Sequence, residues 1–201
     1  MYKSAPTSRT RRSRMAGFSM VELAVSMTVL LILTAIAIPS LMRSFRTYQL
    51  NDAAARLSDM LKFTRFEAVR RNKRVCFLMQ QNSTTGAWTL GTDSNCSATF
   101  DTNGKQQVIR GFASILPAGA PPSSASITST LGAASTLTTL SSTPGSITFD
   151  ARGAVSPLTA YILYVGSATN PEFGYRAVIL LPSGATQVWT APNGGTWQRI
   201  S

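Results

Sequence analysis

The chain contains no histidine, only two cysteines, and 8 acidic residues against 19 basic ones. Without histidine it lacks the side chain most often used near neutral pH as a general base and as a metal ligand. Cys76 and Cys96 alone fall short of a four-thiolate zinc site. There is no phosphate-cradling glycine loop, no dinucleotide-type glycine pattern and no cluster of acids. Asp93, Asp101, Asp150 and Glu172 are scattered beside turn residues and read as solvated turns or caps. No nucleophile stands with a base and an orienting group. These absences point away from an enzyme. The expectation is no catalytic residue, no metal, no cofactor and no small-molecule substrate.

What the chain does have is apolar sequence and segregated charge. Hydrophobic residues make up 44% and charged residues 13% of 201 positions, which excludes a disordered chain. That length allows one domain of ordinary size, or one domain with an appendage. The net charge of +11 is unevenly placed. Lys3, Arg9, Arg11, Arg12 and Arg14 precede the first acid. Nine bases and three acids lie between Arg43 and Arg74, whereas five bases meet four acids from Val75 onward. The basic character therefore belongs to the N-terminal third.

From Leu23 to Met42, twenty residues carry no formal charge. As a helix at about 1.5 Å per residue they span roughly 30 Å, the thickness of a bilayer core. The arginine-rich flank is expected to stay in the cytoplasm, and the chain beyond Arg43 to reach an oxidising compartment. Three readings of this segment stand open. It is a signal peptide cut after the small-x-small run Ala35-Ile36-Ala37, an uncleaved anchor, or a helix retained after a cut at Gly17, with Phe18 as the new N-terminus. The third also accounts for Glu22, a lone acid at the mouth of the apolar run. Such an acid costs roughly 2.5–3.5 kcal/mol at a membrane helix centre and less near an end. The plainer reading of Glu22 is a carboxylate held among headgroups with no partner.

Gly17-Phe18-Ser19-Met20-Val21-Glu22-Leu23 resembles the class III signal of type IV prepilins and pseudopilins, Gly-Phe-Thr-Leu-Ile-Glu-Leu. The short basic leader fits, and Pro39 falls where these helices commonly carry a proline. The resemblance implies cleavage between Gly17 and Phe18 by a prepilin peptidase and N-methylation of Phe18. It also implies an assembly contact between Glu22 and the amino terminus of a neighbouring subunit.

Beyond Pro39, Leu50, Ala53, Ala54, Leu57, Leu61, Thr64 and Ala68 recur at helical steps and form one apolar-to-small stripe. A helix is expected from about Ser19 to Asn72, with a bend at Pro39, where a helix hydrogen bond is missing. Arg70-Arg71-Asn72-Lys73-Arg74 reads as a solvated helix end, where cations oppose the helix dipole. The alternative is a nucleic-acid-binding patch of Arg70, Arg71, Lys73 and Arg74.

From Arg74 the pattern changes to short strands: Arg74–Met79, Ala87–Leu90, Gln107–Phe112, Ser146–Phe149, Ala160–Val165, Tyr175–Leu181 and Ala185–Trp189. No second long helical pattern appears, so an antiparallel sheet packed on the amphipathic helix is expected. The 39 residues between Arg110 and Asp150 carry no charge and are rich in Ser, Thr, Ala, Gly and Pro. Pro117, Pro121 and Pro122 rule out a regular helix there. The stretch reads as a long polar loop with irregular edge strands, and alternatively as a carrier of O-linked sugar. Trp88 and Trp189 read as core or sheet-face residues, and Trp197 as the best candidate for an exposed contact. Compartment and parity make a Cys76–Cys96 disulfide a candidate; the alternative is a buried Cys76 and a free Cys96.

The order of these segments is also similar to the pseudopilin H and FimT-like minor pilin family. "LSDMLKFTRFEAVRRNKRV", "SITFDARGAVS" and "AVILLPSGATQVW" resemble its helix end, its strand-turn-strand and its last hairpin. Some FimT-like members that bind DNA carry Gly-Arg-x-Arg near the C-terminus. Here Gly184-Ala185-Thr186-Gln187 lacks the arginines.

The resulting expectation is an α+β, pilin-like chain. Residues 1–17 are a basic leader, 18–42 a transmembrane and assembly helix, 43–73 an amphipathic periplasmic helix, and 74–201 a β-rich domain with a low-complexity stretch at 113–146. The resemblance implies a structural subunit of a type II secretion pseudopilus or a type IV pilus. Its partners would be a prepilin peptidase, other pilins or pseudopilins, and the bacterial inner membrane. The N-terminus would be cytoplasmic and the C-terminal domain periplasmic. The alternatives are a DNA-binding minor pilin for natural transformation and an unrelated anchored periplasmic enzyme.

Overall fold

The structure is a computed structural model that describes residues 18–132 and 137–200. It divides into two compact units, one up to Leu41 and one from Met42. In chain order the elements are α1 (Met20–Arg71), β1 (Val75–Gln81), β2 (Trp88–Asp93), β3 (Gln106–Ile109), β4 (Ala113–Ser114), α2 (Ala125–Leu131), β5 (Leu137–Thr139), β6 (Gly145–Phe149), β7 (Val155–Ser156), β8 (Ala160–Ser167), β9 (Tyr175–Leu180), β10 (Thr186–Ala191) and β11 (Gln198–Arg199).

The described part of the first unit is the start of α1. The backbone N–H of Leu23 donates to the Ser19 carbonyl at 3.0 Å, which begins the helix ladder. Every residue from Phe18 to Phe45 is exposed, and the segment is long and apolar enough to cross a membrane. Three of its hydroxyls are satisfied internally. Ser26, Thr28 and Thr34 donate to the carbonyls of Glu22, Ala24 and Leu30 at 2.7, 2.8 and 2.9 Å. Such bonds leave no hydroxyl proton in need of an outside acceptor. Pro39 lies inside α1.

In the second unit, Leu50, Ala53, Ala54, Leu57, Met60, Leu61, Thr64 and Ala68 form the buried side of α1. They share one core with the inner faces of two sheets. The expected helix packed on antiparallel sheet structure is what the unit contains, with the strands divided between two sheets. The first sheet has the order β3-β2-β1-β6-β7, and the second the order β11-β10-β9-β8-β4, with β5 added in parallel on β8. Strand alternation explains the split. Phe77, Met79, Trp88, Leu90, Ile147 and Phe149 reach the helix from the first sheet, and Leu163, Val165, Val178 and Leu180 from the second.

The second sheet is covered on its other face too. Ile162, Tyr175, Ala177, Ile179, Trp189, Ala191 and Trp197 form a separate core with Ile127 of α2. This corrects two expectations. The stretch at 113–146 contains a helix, because α2 begins at Ala125, after the prolines, which restrict only the residues around them. Trp197 is not an exposed contact. It is 4% exposed, its Nε1–H donates to the Pro122 carbonyl at 3.1 Å, and its ring lies 5.7 Å from that of Tyr164. The tail folds back through Pro192–Gly195 and lays the indole on the sheet.

A disulfide joins Cys76 of β1 to Cys96 in the β2–β3 connection, with Cα atoms 5.2 Å apart. Two acids organise the same connection. Asp101 accepts from the Ser94 N–H and hydroxyl at 3.0 and 2.8 Å. Asp93 accepts from the N–H groups of Asn95 and Thr99 at 3.0 and 3.3 Å. Asp93 is therefore not a solvated turn residue. It is 2% exposed, because the loop it organises folds over it. Phe100 lies so close to β2 that a Cβ on Gly91 would come within 2.6 Å of its ring.

A Cys76→Ala, Cys96→Ala variant removes the covalent loop of sequence separation 20. It is expected to lose about 3 kcal/mol of unfolding free energy in chemical denaturation, the loop-entropy value. A loss below about 1 kcal/mol would mean that the aspartate network alone holds the connection.

Candidate functional site

The candidate residues lie at the two ends of α1, and each end is described within its own unit. At the first end Gly17 lies outside the described residues. Phe18 is 77% exposed, and Glu22 occupies the first turn of α1, where a carboxylate is favoured by the helix dipole. No ion pair among the described residues involves Glu22. The apolar side chains around it are open: Met20 is 90% and Val21 71% exposed. A helix that is apolar all round, with one acid in its first turn, has no aqueous reason to remain exposed. It calls for lipid or for other helices.

At the second end, Asn72 takes a left-handed conformation, with φ 48°. Its N–H donates to the Val69 carbonyl and that of Lys73 to the Ala68 carbonyl, both at 3.2 Å. These two bonds make a Schellman stop and satisfy carbonyls that a helix end would otherwise orphan. Asparagine is one of the few residues other than glycine that visit this region routinely. Arg70 and Arg71 both turn back to Glu67. Arg70 Nε and Nη2 reach its two oxygens at 3.0 and 2.8 Å, and Arg71 Nε reaches Oε2 at 2.7 Å. The Arg70 hydrogen bonds, helped by Arg71, hold the Glu67 carboxyl below its ordinary range, although its burial works in the opposite direction. Lys73 and Arg74 are exposed beyond the stop. Of the four basic residues, two are thus engaged with one carboxylate and two are free of it.

The sequence carried no signal for Arg176, which sits within the apolar run of β9. It is 6% exposed and donates through Nε to Asn51 Oδ1 at 2.6 Å and through Nη1 to the Tyr175 carbonyl at 3.0 Å. Burial pushes its pKa down from the ordinary arginine range. Its role is to tie the second sheet to α1, as Ser58 does with Thr186 at 3.1 Å. At the start of this unit Arg46 lies 4.7 Å over the Phe112 ring, and Phe112 meets Phe173 edge-on at 5.0 Å. Among the described residues no group of His, Cys, Asp or Glu could hold a metal ion.

Comparison with known proteins gives two family matches. Residues 53–184 match the family of the type II transport protein GspH. Residues 12–38 match the prokaryotic N-terminal methylation motif. No curated protein matches significantly. The chain is similar to the type IV minor pilin FimU of Pseudomonas aeruginosa in two crystal forms. In one the identity is 17%, over 77% of this chain and 94% of that one, with a TM-score of 0.48. In the other the identity is 18%, over 76% and 98%, with a TM-score of 0.45.

The lowered Glu67 pKa fixes a sign for pH dependence. Its stabilising contribution is complete above the ordinary glutamate pKa of about 4.3 and is lost as the pH falls through the lowered folded value. Glu67→Gln is expected to flatten the acid limb of a stability–pH profile below about pH 5. An unchanged limb would show that other carboxylates carry it.

Proposed function

Because the chain belongs to the type II transport protein GspH family, we propose that this type IV pilin-like structural subunit is cut by a prepilin peptidase after Gly17. It is then N-methylated at Phe18 and built by its apolar helix into a pseudopilus or a type IV pilus. The observation that carries this reading is the apolar window of α1, none of which is buried. Lipid covers such a surface while the subunit waits in the inner membrane, with the N-terminus cytoplasmic and the second unit periplasmic. Neighbouring helices cover it in a filament, with α1 bent at Pro39 to follow the packing.

Glu22 has a role in that step and no evident one before it. After the cut, the Phe18 amino group lies four residues from Glu22, about one helical turn. A neighbouring subunit displaced along the filament brings its own amino group to the Glu22 carboxylate. In a dry environment the two charges satisfy one another, and an unpaired one is costly. No bond is made or broken by this chain; the work is assembly. The machine served is a type II secretion system, with pilus biogenesis as the other use of the same subunit.

Intact mass and N-terminal sequencing of the mature protein test the processing step. The expected product begins at methylated Phe18. A product beginning at Ile38, or an uncut chain, would remove the reading. Glu22→Ala is expected to insert in the membrane as the wild type does and to enter filaments at least about tenfold less often, the effect of roughly 1.4 kcal/mol. Normal assembly of that variant would overturn the pairing.

A further inference from the structure

One corner of the second unit carries charge that this chain does not answer. On the outward side of α1, Lys62, Phe66 and Val69 follow one another at steps of four and three residues, opposite the buried stripe, with Arg70 beside Val69 and Lys73 just past the helix stop. Phe66 is 61% and Val69 49% exposed. The turn after β6 abuts them. A Cβ on Gly153 would come within 2.9 Å of Val69 and 3.0 Å of Arg65, which sets Arg65 on the flank of the same patch, with the exposed Arg152 next to Gly153 in the turn. The acids nearby are occupied. Glu67 holds Arg70 and Arg71, Asp59 lies 3.8 Å from Lys62, and Asp150 accepts the N–H groups of Arg152 and Ala154. Among the described residues Arg65, Lys73, Arg74 and Arg152 have no carboxylate within ion-pair distance.

We propose that this corner is a docking surface for an acidic protein subunit distinct from this chain, an inference that rests on the filament-subunit reading above. An apolar centre with a charged rim is the anatomy of a protein interface. The cationic rim selects a partner whose matching rim is carboxylate. A second copy does not qualify. Its remaining acids are Glu22 in the apolar run, Asp52 paired with Arg56, Asp93 and Asp101 held in the β2–β3 connection, and an isolated Glu172. Nucleic acid fits less well, because Arg70 and Arg71 turn their guanidinium groups to Glu67 and the centre of the patch is partly aliphatic.

The test places a photo-crosslinking benzoylphenylalanine at Phe66 of the full-length chain in the producing cell. The expected product joins a different polypeptide at a segment rich in Asp and Glu. Lys62→Glu with Lys73→Glu is expected to lower its yield by about tenfold, Arg199→Glu to leave it unchanged, and acid-to-lysine changes in the crosslinked segment to restore it. A crosslink to a second copy or to lipid overturns the proposal. So does low-salt retention of double- or single-stranded DNA by the detergent-solubilised chain that the two lysine changes abolish. The absence of any crosslink, or a yield indifferent to the charge changes, in a chain that begins at methylated Phe18 overturns the docking surface alone. A chain that begins elsewhere removes the subunit reading and this inference with it.

Discussion

The second unit depends on keeping one side of α1 dry. Ala53, Ala54 and Ala68 let backbone approach the helix, and Leu50, Leu57, Met60 and Leu61 fill the space between them. Burying one large aliphatic side chain is worth about 1.5–3 kcal/mol. No single contact offsets the entropy of ordering the chain, so the two sheets must close on the helix together. Neither sheet has another way to cover its inner face. Phe77, Trp88 and Phe149 on one side, and Leu163, Val178 and Leu180 on the other, meet through the helix residues between them.

Apolar burial has no direction, and a few polar contacts supply it. Trp88 Nε1–H donates to Ser114 Oγ at 3.1 Å and so links β2 of the first sheet to β4 of the second. Arg176 with Asn51, and Ser58 with Thr186, set the second sheet on the helix. The Val155 N–H donates to the Pro182 carbonyl at 2.9 Å and joins the sheets again at the turns. There Gly153 and Gly184 both take φ 79°, and a Cβ on Gly184 would collide with the Gly153 carbonyl oxygen. Glycine is needed at Gly184 for conformation and for space together.

The long helix was legible because its evidence is redundant. The apolar run, the stripe from Leu50 to Ala68 and the basic stop all agree on it. The strands of β1, β6, β8 and β9 were legible as short apolar runs between turn signals. Their grouping into two sheets was not. Ile162 and Leu163, or Ala177 and Val178, are apolar neighbours on opposite faces, and a strand buried on both sides has no polar alternation to announce which layer each face meets. Asp93 and Trp197 misled, and Arg176 gave no signal, for a related reason. Each is a polar or amphipathic side chain whose burial is made tolerable by partners distant in sequence or by a loop folding over it. At the candidate site, Phe18 and Glu22 stood out by motif. The corner around Phe66 needed the turn at Gly153 brought beside the helix.

The Cys76–Cys96 bond also gives the molecule a history. A thiol pair closes only where an oxidant is available. Until then the β2–β3 connection is held by Asp93 and Asp101 without a covalent tie. In oxidising surroundings the bond adds to those contacts, and in reducing ones the contacts stand alone, so the firmness of this one corner follows the redox state of whatever surrounds the unit.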